Sequence, residues 1–251
     1  MQKSDPDTYS ISVAITAHRE GLLAGLSIKS AIACIREAEK ASLKSEIIVI
    51  LDRADALTTR TIQSALVNEE ATIIEVDLGD PALSRNRAVD QARGKYITFL
   101  DADDLWSVNW LVSAWRMLED QSGTIGHSYC NIVFGDRSTV WWHADSKSED
   151  FDPNYLSWAN YWDAMSFALL DVHREHPYRP NRLELGFGHE DWFWNHQTLM
   201  SNYSHRPVMG TIHFKRARAG SQMADVRKHG DLTWPEVQKQ LLERQILFGQ
   251  A

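Results

Sequence analysis

Cysteine is scarce in this chain. The only two, Cys34 and Cys130, sit in apolar surroundings and form no metal or redox motif, so they are read as buried free thiols of a cytosolic protein. Long apolar runs are missing as well. No stretch of about 18 apolar residues could cross a bilayer, and the polar start MQKSDPDTYS contains no apolar core of a signal peptide. The expectation is a cytoplasmic protein, in contact with the inner face of a membrane at most peripherally. Positive charge is short: 26 Lys and Arg against 34 Asp and Glu leave a net charge of -8. That argues against non-specific binding of nucleic acid but allows a nucleotide held through a cation. No GxGxxG follows the first strand and no GxxxxGK[ST] is present, so neither a dinucleotide fold nor a P-loop is supported.

Apolar residues, at 43% of 251, suffice for one large domain with a full core. Ten tryptophans are many for this length. Core packing explains some of them, but flat aromatic faces also bind sugars.

Along the chain, Ile11 to Ala17, Glu46 to Leu51, Thr72 to Val76 and Tyr96 to Leu100 read as short buried strands. Helices are expected between them: one carrying Ile28, Ile32 and Ile35, one from near Thr58 burying Ile62, Ala65 and Leu66, and one from Ser84 to Ala92. Strands alternating with helices predict a parallel sheet covered on both sides, with ligands at the carboxyl ends of the strands. His18, Glu20, Asp52, Asp55 and Asp101 to Asp104 all fall at those ends.

The organising stretch is GKYITFLDADD, residues 94–104. Side chains two apart on an extended backbone share a side, so Asp101 and Asp103 can converge. Two convergent carboxylates make a cation site or an acid/base pair. The plain alternative is a cap for the helix after Trp106.

The segments VAITAHRE, EIIVILDRAD and above all LSRNRAVDQARGKYITFLDADD resemble a family 2 glycosyltransferase with the GT-A fold. Two departures stand out: His18 where the family usually has Tyr, and Leu51 where it often has a further Asp. The resemblance implies that Asp101 and Asp103 hold Mn2+ or Mg2+ and the ribose-diphosphate of a nucleotide sugar. It also implies that Asp52 binds the base with Ala17, His18 and Glu20 around it, and that Arg85 approaches the diphosphate or donor sugar. A planar fork of donors suits phosphate; the plain alternative for Arg85 is a surface helix residue. Residues 10–104 would form the donor half of a single domain and residues 105–251 the acceptor half.

In that second half, Leu111, Trp115 and Leu118 mark the apolar face of a helix, with Trp110 off it and undecided. Ile125 to Phe134 and Thr139 to Trp142, parted by Gly135-Asp136-Arg137, read as a hairpin, and Met165 to Leu170 as a strand. Residues 145–160 read as a loop with a short helix. Trp141, Trp142, Trp158 and Trp162 gather where the resemblance places the acceptor subsite, although core packing is the plainer role for any one of them. Glu190-Asp191 opens a helix expected to bury Phe193 and Leu199. A first-turn carboxylate is explained by capping; the resemblance to the family's Glu-Asp motif makes Asp191 the general base of an inverting transfer, with Glu190 in support. Trp192 and His189 are then candidate acceptor contacts. Arg206 to Arg216 reads as a strand; His213 on it is a candidate metal ligand, and Lys215, Arg216 and Arg218 could neutralise a diphosphate. Trp234 to Phe248 reads as an amphipathic helix. The implied partners are a nucleotide-sugar donor and a glycan or lipid-linked saccharide acceptor, with no nucleic acid. Two other classes fit less of the pattern: a nucleotidyl- or phosphoryl-transferring enzyme, and a glycan-binding module without turnover.

Overall fold

The computed structural model describes residues 9–218; the expected helix from Trp234 to Phe248 lies outside the described residues. Three βα units and a fourth strand open the chain: β1 (Ile11–Ala17), α1 (Leu23–Lys40), β2 (Ser45–Asp52), α2 (Ala56–Ala65), β3 (Ala71–Val76), α3 (Pro81–Gln91) and β4 (Tyr96–Asp101). Then follow β5 (Leu105–Trp106), α4 (Trp110–Glu119), β6 (Thr124–Gly135), β7 (Thr139–Trp142), β8 (Ser166–Leu169), α5 (Leu170–Glu175), α6 (Glu190–Met200) and β9 (Ser204–Ala217). They form one sheet in the order β3-β2-β1-β4-β8-β6-β9-β5, with β7 on β6. The first four strands are parallel, β8 enters antiparallel to β4, and β9 runs parallel to β6.

Alternation along the strands divides the core. Ile11, Val13 and Ile15 face a cluster with α1, α2 and α4, while Ala14, Ile97 and Phe99 face another with α3, Tyr178 and Trp194. Covering both faces is what makes β1, β2 and β4 continuous apolar runs. β3 departs from that expectation: at the sheet edge it is largely exposed, with Ile73 37% accessible. Gly94 is required ahead of β4, because a Cβ there would lie 2.5 Å from the Ser12 backbone nitrogen.

Several boundaries and faces are corrected. α2 begins at Ala56 because Asp55 caps it, accepting the Thr58 N–H at 2.7 Å. α3 begins at Pro81 because Asp80 caps it, accepting from Ala82 and Leu83, and proline suits the first helical position. On α4 the buried indole is Trp110, whose Nε1 donates to Thr98 Oγ1 at 3.1 Å; Trp115 sits at the rim, edge-on to Tyr96. On α6 the buried anchor is Trp194, and Phe193 and Leu199 are only partly covered. Cys34 and Cys130 are free and buried, as expected. Among the described residues, no helix is long and apolar enough to cross a membrane.

Candidate active site

The parallel strands β1 and β4 end side by side, with Thr16 opposite Asp101. The Thr16 hydroxyl donates to Asp101 Oδ1 at 3.0 Å, and Arg85 Nη2 donates to the same oxygen at 3.0 Å. Burial pushes the Asp101 carboxyl up, but Arg85, Lys215 and the Thr16 bond hold it below its ordinary value. Asp103 differs. Its Oδ2 accepts from Arg218 Nε at 2.6 Å, yet burial and the nearby Asp104 and Asp101 charges keep its pKa raised. Glu20 is raised too, by burial first and with Asp103 adding to it. Ala17 is buried at the end of β1, and the following His18 donates its backbone N–H to Glu20 Oε2 at 2.7 Å. Asp101, Asp103 and Asp104 do not cap α4, which has no side-chain cap.

The strand ends thus gather the carboxylates of Asp101, Asp103 and Glu20. Hard oxygen donors of this kind fit Mg2+ or Mn2+, ions that take part of their coordination from phosphate and water. Among the described residues, no three His, Cys, Asp or Glu side chains close on one point as a cage built from protein alone would need.

Three of the expected site residues are engaged by protein partners. Asp52 Oδ1 accepts the N–H groups of Leu78 and Gly79 at 2.8 and 2.9 Å, and Oδ2 accepts from Asp80 N at 3.2 Å and Ser84 Oγ at 2.9 Å. Those bonds outweigh burial and lower its pKa. Its carboxylate thus shapes the 78–80 loop, while its backbone carbonyl accepts His18 Nδ1–H at 2.5 Å. His213, expected as a metal ligand, is fully buried between Asp104 (Nε2 to Oδ2, 2.9 Å) and Asp163 (Nδ1 to Oδ2, 2.8 Å). Burial opposes its charge, but the two carboxylates raise its pKa to about 9, and both ring nitrogens are occupied by these carboxylates. Arg85 is neither on the surface nor open to solvent: it is 3% exposed and spans Asp101 and Glu190.

That span brings the second acidic stretch to the first. Gly186 and His189 both take left-handed backbone, φ 81° and 62°, turning the chain into α6. Glu190 Oε1 accepts from Arg85 Nη1 at 2.6 Å, and Oε2 from Asn181 Nδ2 at 3.0 Å. Asp191 comes next, its pKa raised to about 6 by burial and by the Glu190 charge. The Trp192 indole donates to the Leu156 carbonyl at 2.8 Å and lies edge-on to His189. Lys215 lies 3.9 Å from Asp104 and is close enough to Asp101 and Asp191 for those charges to raise its pKa.

The profile of glycosyl transferase family 2 matches residues 12–176, well over half of the chain. The chain belongs to this family. It is a glycosyltransferase with the GT-A fold. Solved structures similar to this family 2 member include residues 1–349 of S. aureus TarS in complex with UDP-GlcNAc, 14% identical over 95% of this chain and 73% of that one, with a TM-score of 0.61. Another is the Pyrobaculum calidifontis mannosyltransferase PcManGT in complex with GDP-Man and Mn2+, 15% identical over 88% of this chain, also with a TM-score of 0.61. The chain spans 61% of that mannosyltransferase and 44% of the longer TarS structure. At these identities the likeness concerns the fold. No curated protein sequence matches the chain.

The family match ends before α6, so the Glu190-Asp191 stretch is located by geometry and not by the profile. Three participants had escaped the motif reading. Thr16 becomes visible only through the β1/β4 register. Asn181 and Asp163 lie in loops with no repeat or spacing to mark them. Of the clustered tryptophans, Trp162 is fully buried, while Trp142 and Trp158 are 60% and 82% exposed.

Proposed function

We propose that this glycosyltransferase moves a sugar from a nucleoside diphosphate sugar, with a UDP-sugar as first candidate, to a hydroxyl of a glycan or lipid-linked saccharide, inverting the anomeric centre. The UDP-GlcNAc and GDP-Man complexes of the similar structures support the donor class. The observation that carries the reading is Asp191. It is a carboxylate at a helix start with its pKa raised to about 6, linked through Glu190 and Arg85 to the strand-end Asp101. Such a pKa leaves the group ionised at neutral pH yet basic enough to take a proton.

Asp101 and Asp103 would hold Mn2+ or Mg2+, which supplies positive charge for the departing diphosphate. Around it, Ala17, His18 and Glu20 line the donor side. Asp191 faces the acceptor hydroxyl and accepts its proton while the oxygen bonds to the anomeric carbon and the bond to the diphosphate breaks. Glu190, held by Arg85 and Asn181, supports the helix start. Trp192, whose indole is bonded to the Leu156 carbonyl, and His189 border the acceptor side, and Tyr155 and Trp158, close to Leu156 in the chain, are exposed. The test is Asp191→Asn, assayed for sugar transfer and for nucleotide binding with Mn2+. Transfer is lost and binding kept if the reading holds; transfer at the wild-type rate refutes it.

A further inference from the structure

We infer that Arg85 is a positioning residue that locks the base-bearing start of α6 to the donor-side strand end, and does not contact phosphate. The inference rests on the reading of Asp191 as the base. Both terminal nitrogens of Arg85 are committed to carboxylates, at 3.0 Å to Asp101 and 2.6 Å to Glu190, and the side chain is 4% exposed. Its Nε is buried without a partner, and the Tyr178 ring lies 5.7 Å from the guanidinium carbon. Nothing in that enclosure leaves a fork facing a ligand.

α3 grips the same segment at two further points. Asn86 Nδ2 donates to the Tyr178 carbonyl at 2.8 Å, and the Tyr178 N–H returns a bond to Asn86 Oδ1 at 2.9 Å. Asp80 Oδ2 accepts the Asn181 N–H at 2.8 Å, while Asn181 Nδ2 holds Glu190. Asp80, Arg85 and Asn86 thus form one latch from α3 to residues 178–190. Its geometric consequence is a division of labour: Glu190 is ion-paired and fixed, and Asp191 is left to do the chemistry. Since an error of about 1 Å in a reacting group can cost around a hundredfold in rate, fixing that helix start matters as much as supplying the carboxylate.

Two measurements on the full chain test this without a known acceptor: 13C NMR titration of the Asp191 carboxyl, and calorimetric affinity for UDP and GDP with Mn2+. The charged groups facing Asp191 are Glu190 and His189 on α6 and its entry, Arg85 on α3 and Lys215 on β9. Arg85→Gln removes one of the positive charges, so the Asp191 midpoint should rise by about one unit, and nucleotide affinity should stay within about threefold. An unmoved titration overturns the proposal, because a filler of space would leave it so. A tenfold or greater loss of nucleotide affinity also overturns it, whatever the titration does. If Arg85→Gln fails to fold, Arg85→Gln/Glu190→Gln compared with Glu190→Gln is read by the same two criteria, both members of the buried pair being removed. Asp191→Asn measured in the same series separates the two readings: wild-type transfer by that variant removes the base assignment, while the Arg85 latch still stands or falls on the titration and the affinities.

Discussion

Residues Asp101 and Asp103 at the end of β4 and residues Glu190 and Asp191 at the start of α6 are two acidic pairs served by one arginine. In each pair Arg85 takes one member, Asp101 or Glu190, and leaves the other to its surroundings. The members left over differ. Asp103 has Arg218 at 2.6 Å and two neighbouring aspartates, so its surplus is negative charge that a cation relieves. Asp191 is raised to about 6 by burial and one neighbour, so its surplus is basicity. On the proposed reading, identical side-chain chemistry would be divided between charge binding and proton transfer by environment alone.

The largest effect should come from breaking the second pair. Asp191→Asn removes the proton acceptor and should lower the transfer rate by about 10³-fold, within the usual range for a general base. Thermal stabilisation by UDP or GDP with Mn2+ should be unchanged. Asp103→Ala should do the reverse first. The stabilisation that a nucleoside diphosphate gives in the presence of Mn2+, about 2.7 kcal/mol at a hundredfold excess over Kd, should fall to the metal-free level in a melting scan. Were both variants to lose nucleotide binding equally, the two pairs would not be separate in function.

A pH profile sharpens the contrast. The base must be ionised, so the rate should fall as pH drops through about 6, tenfold per unit below it. Glu190→Gln removes a charge that raises the Asp191 pKa, so the acidic limb should move to lower pH. A limb that stays in place would assign the titration to another group.

How much of this was legible without coordinates follows from what each signal spans. β1, β2 and β4 were visible because strands covered on both faces are uninterrupted apolar runs; β3 gave a similar run from the sheet edge, where one face is wet. Spacing did not separate Trp115 from Trp110, because the face of α4 that turns inward carries Trp110, Leu111, Ala114 and Leu118, with the Trp110 indole bonded to Thr98. Arg85 stood out as one of three arginines on or beside a short helix, but its partner Glu190 is 105 residues away, and no local pattern carries such a pairing. His213 looked like a ligand because a lone histidine on a strand says nothing of the Asp104 and Asp163 carboxylates flanking it. Capping competes with chemistry for the same residues. Asp55 and Asp80 proved to be caps, while Asp101 and Asp103 did not.

The smallest expected effect concerns an acid that belongs to neither pair. Asp52 lies at a parallel strand end like Asp101, yet both its oxygens are filled by the N–H groups of residues 78–80 and the Ser84 hydroxyl, and its pKa is lowered. Asp52→Asn turns one oxygen into a donor facing other donors, which should cost about 1–3 kcal/mol of unfolding free energy as a buried bond is lost. That loss is readable in a denaturant titration. The loop it shapes leads into α3, so the donor KM should rise only severalfold, and kcat should hold if Arg85 keeps its place. A kcat loss comparable to that of Asp191→Asn would make Asp52 part of the chemistry, and the division between satisfied and unsatisfied carboxylates would no longer separate structure from function.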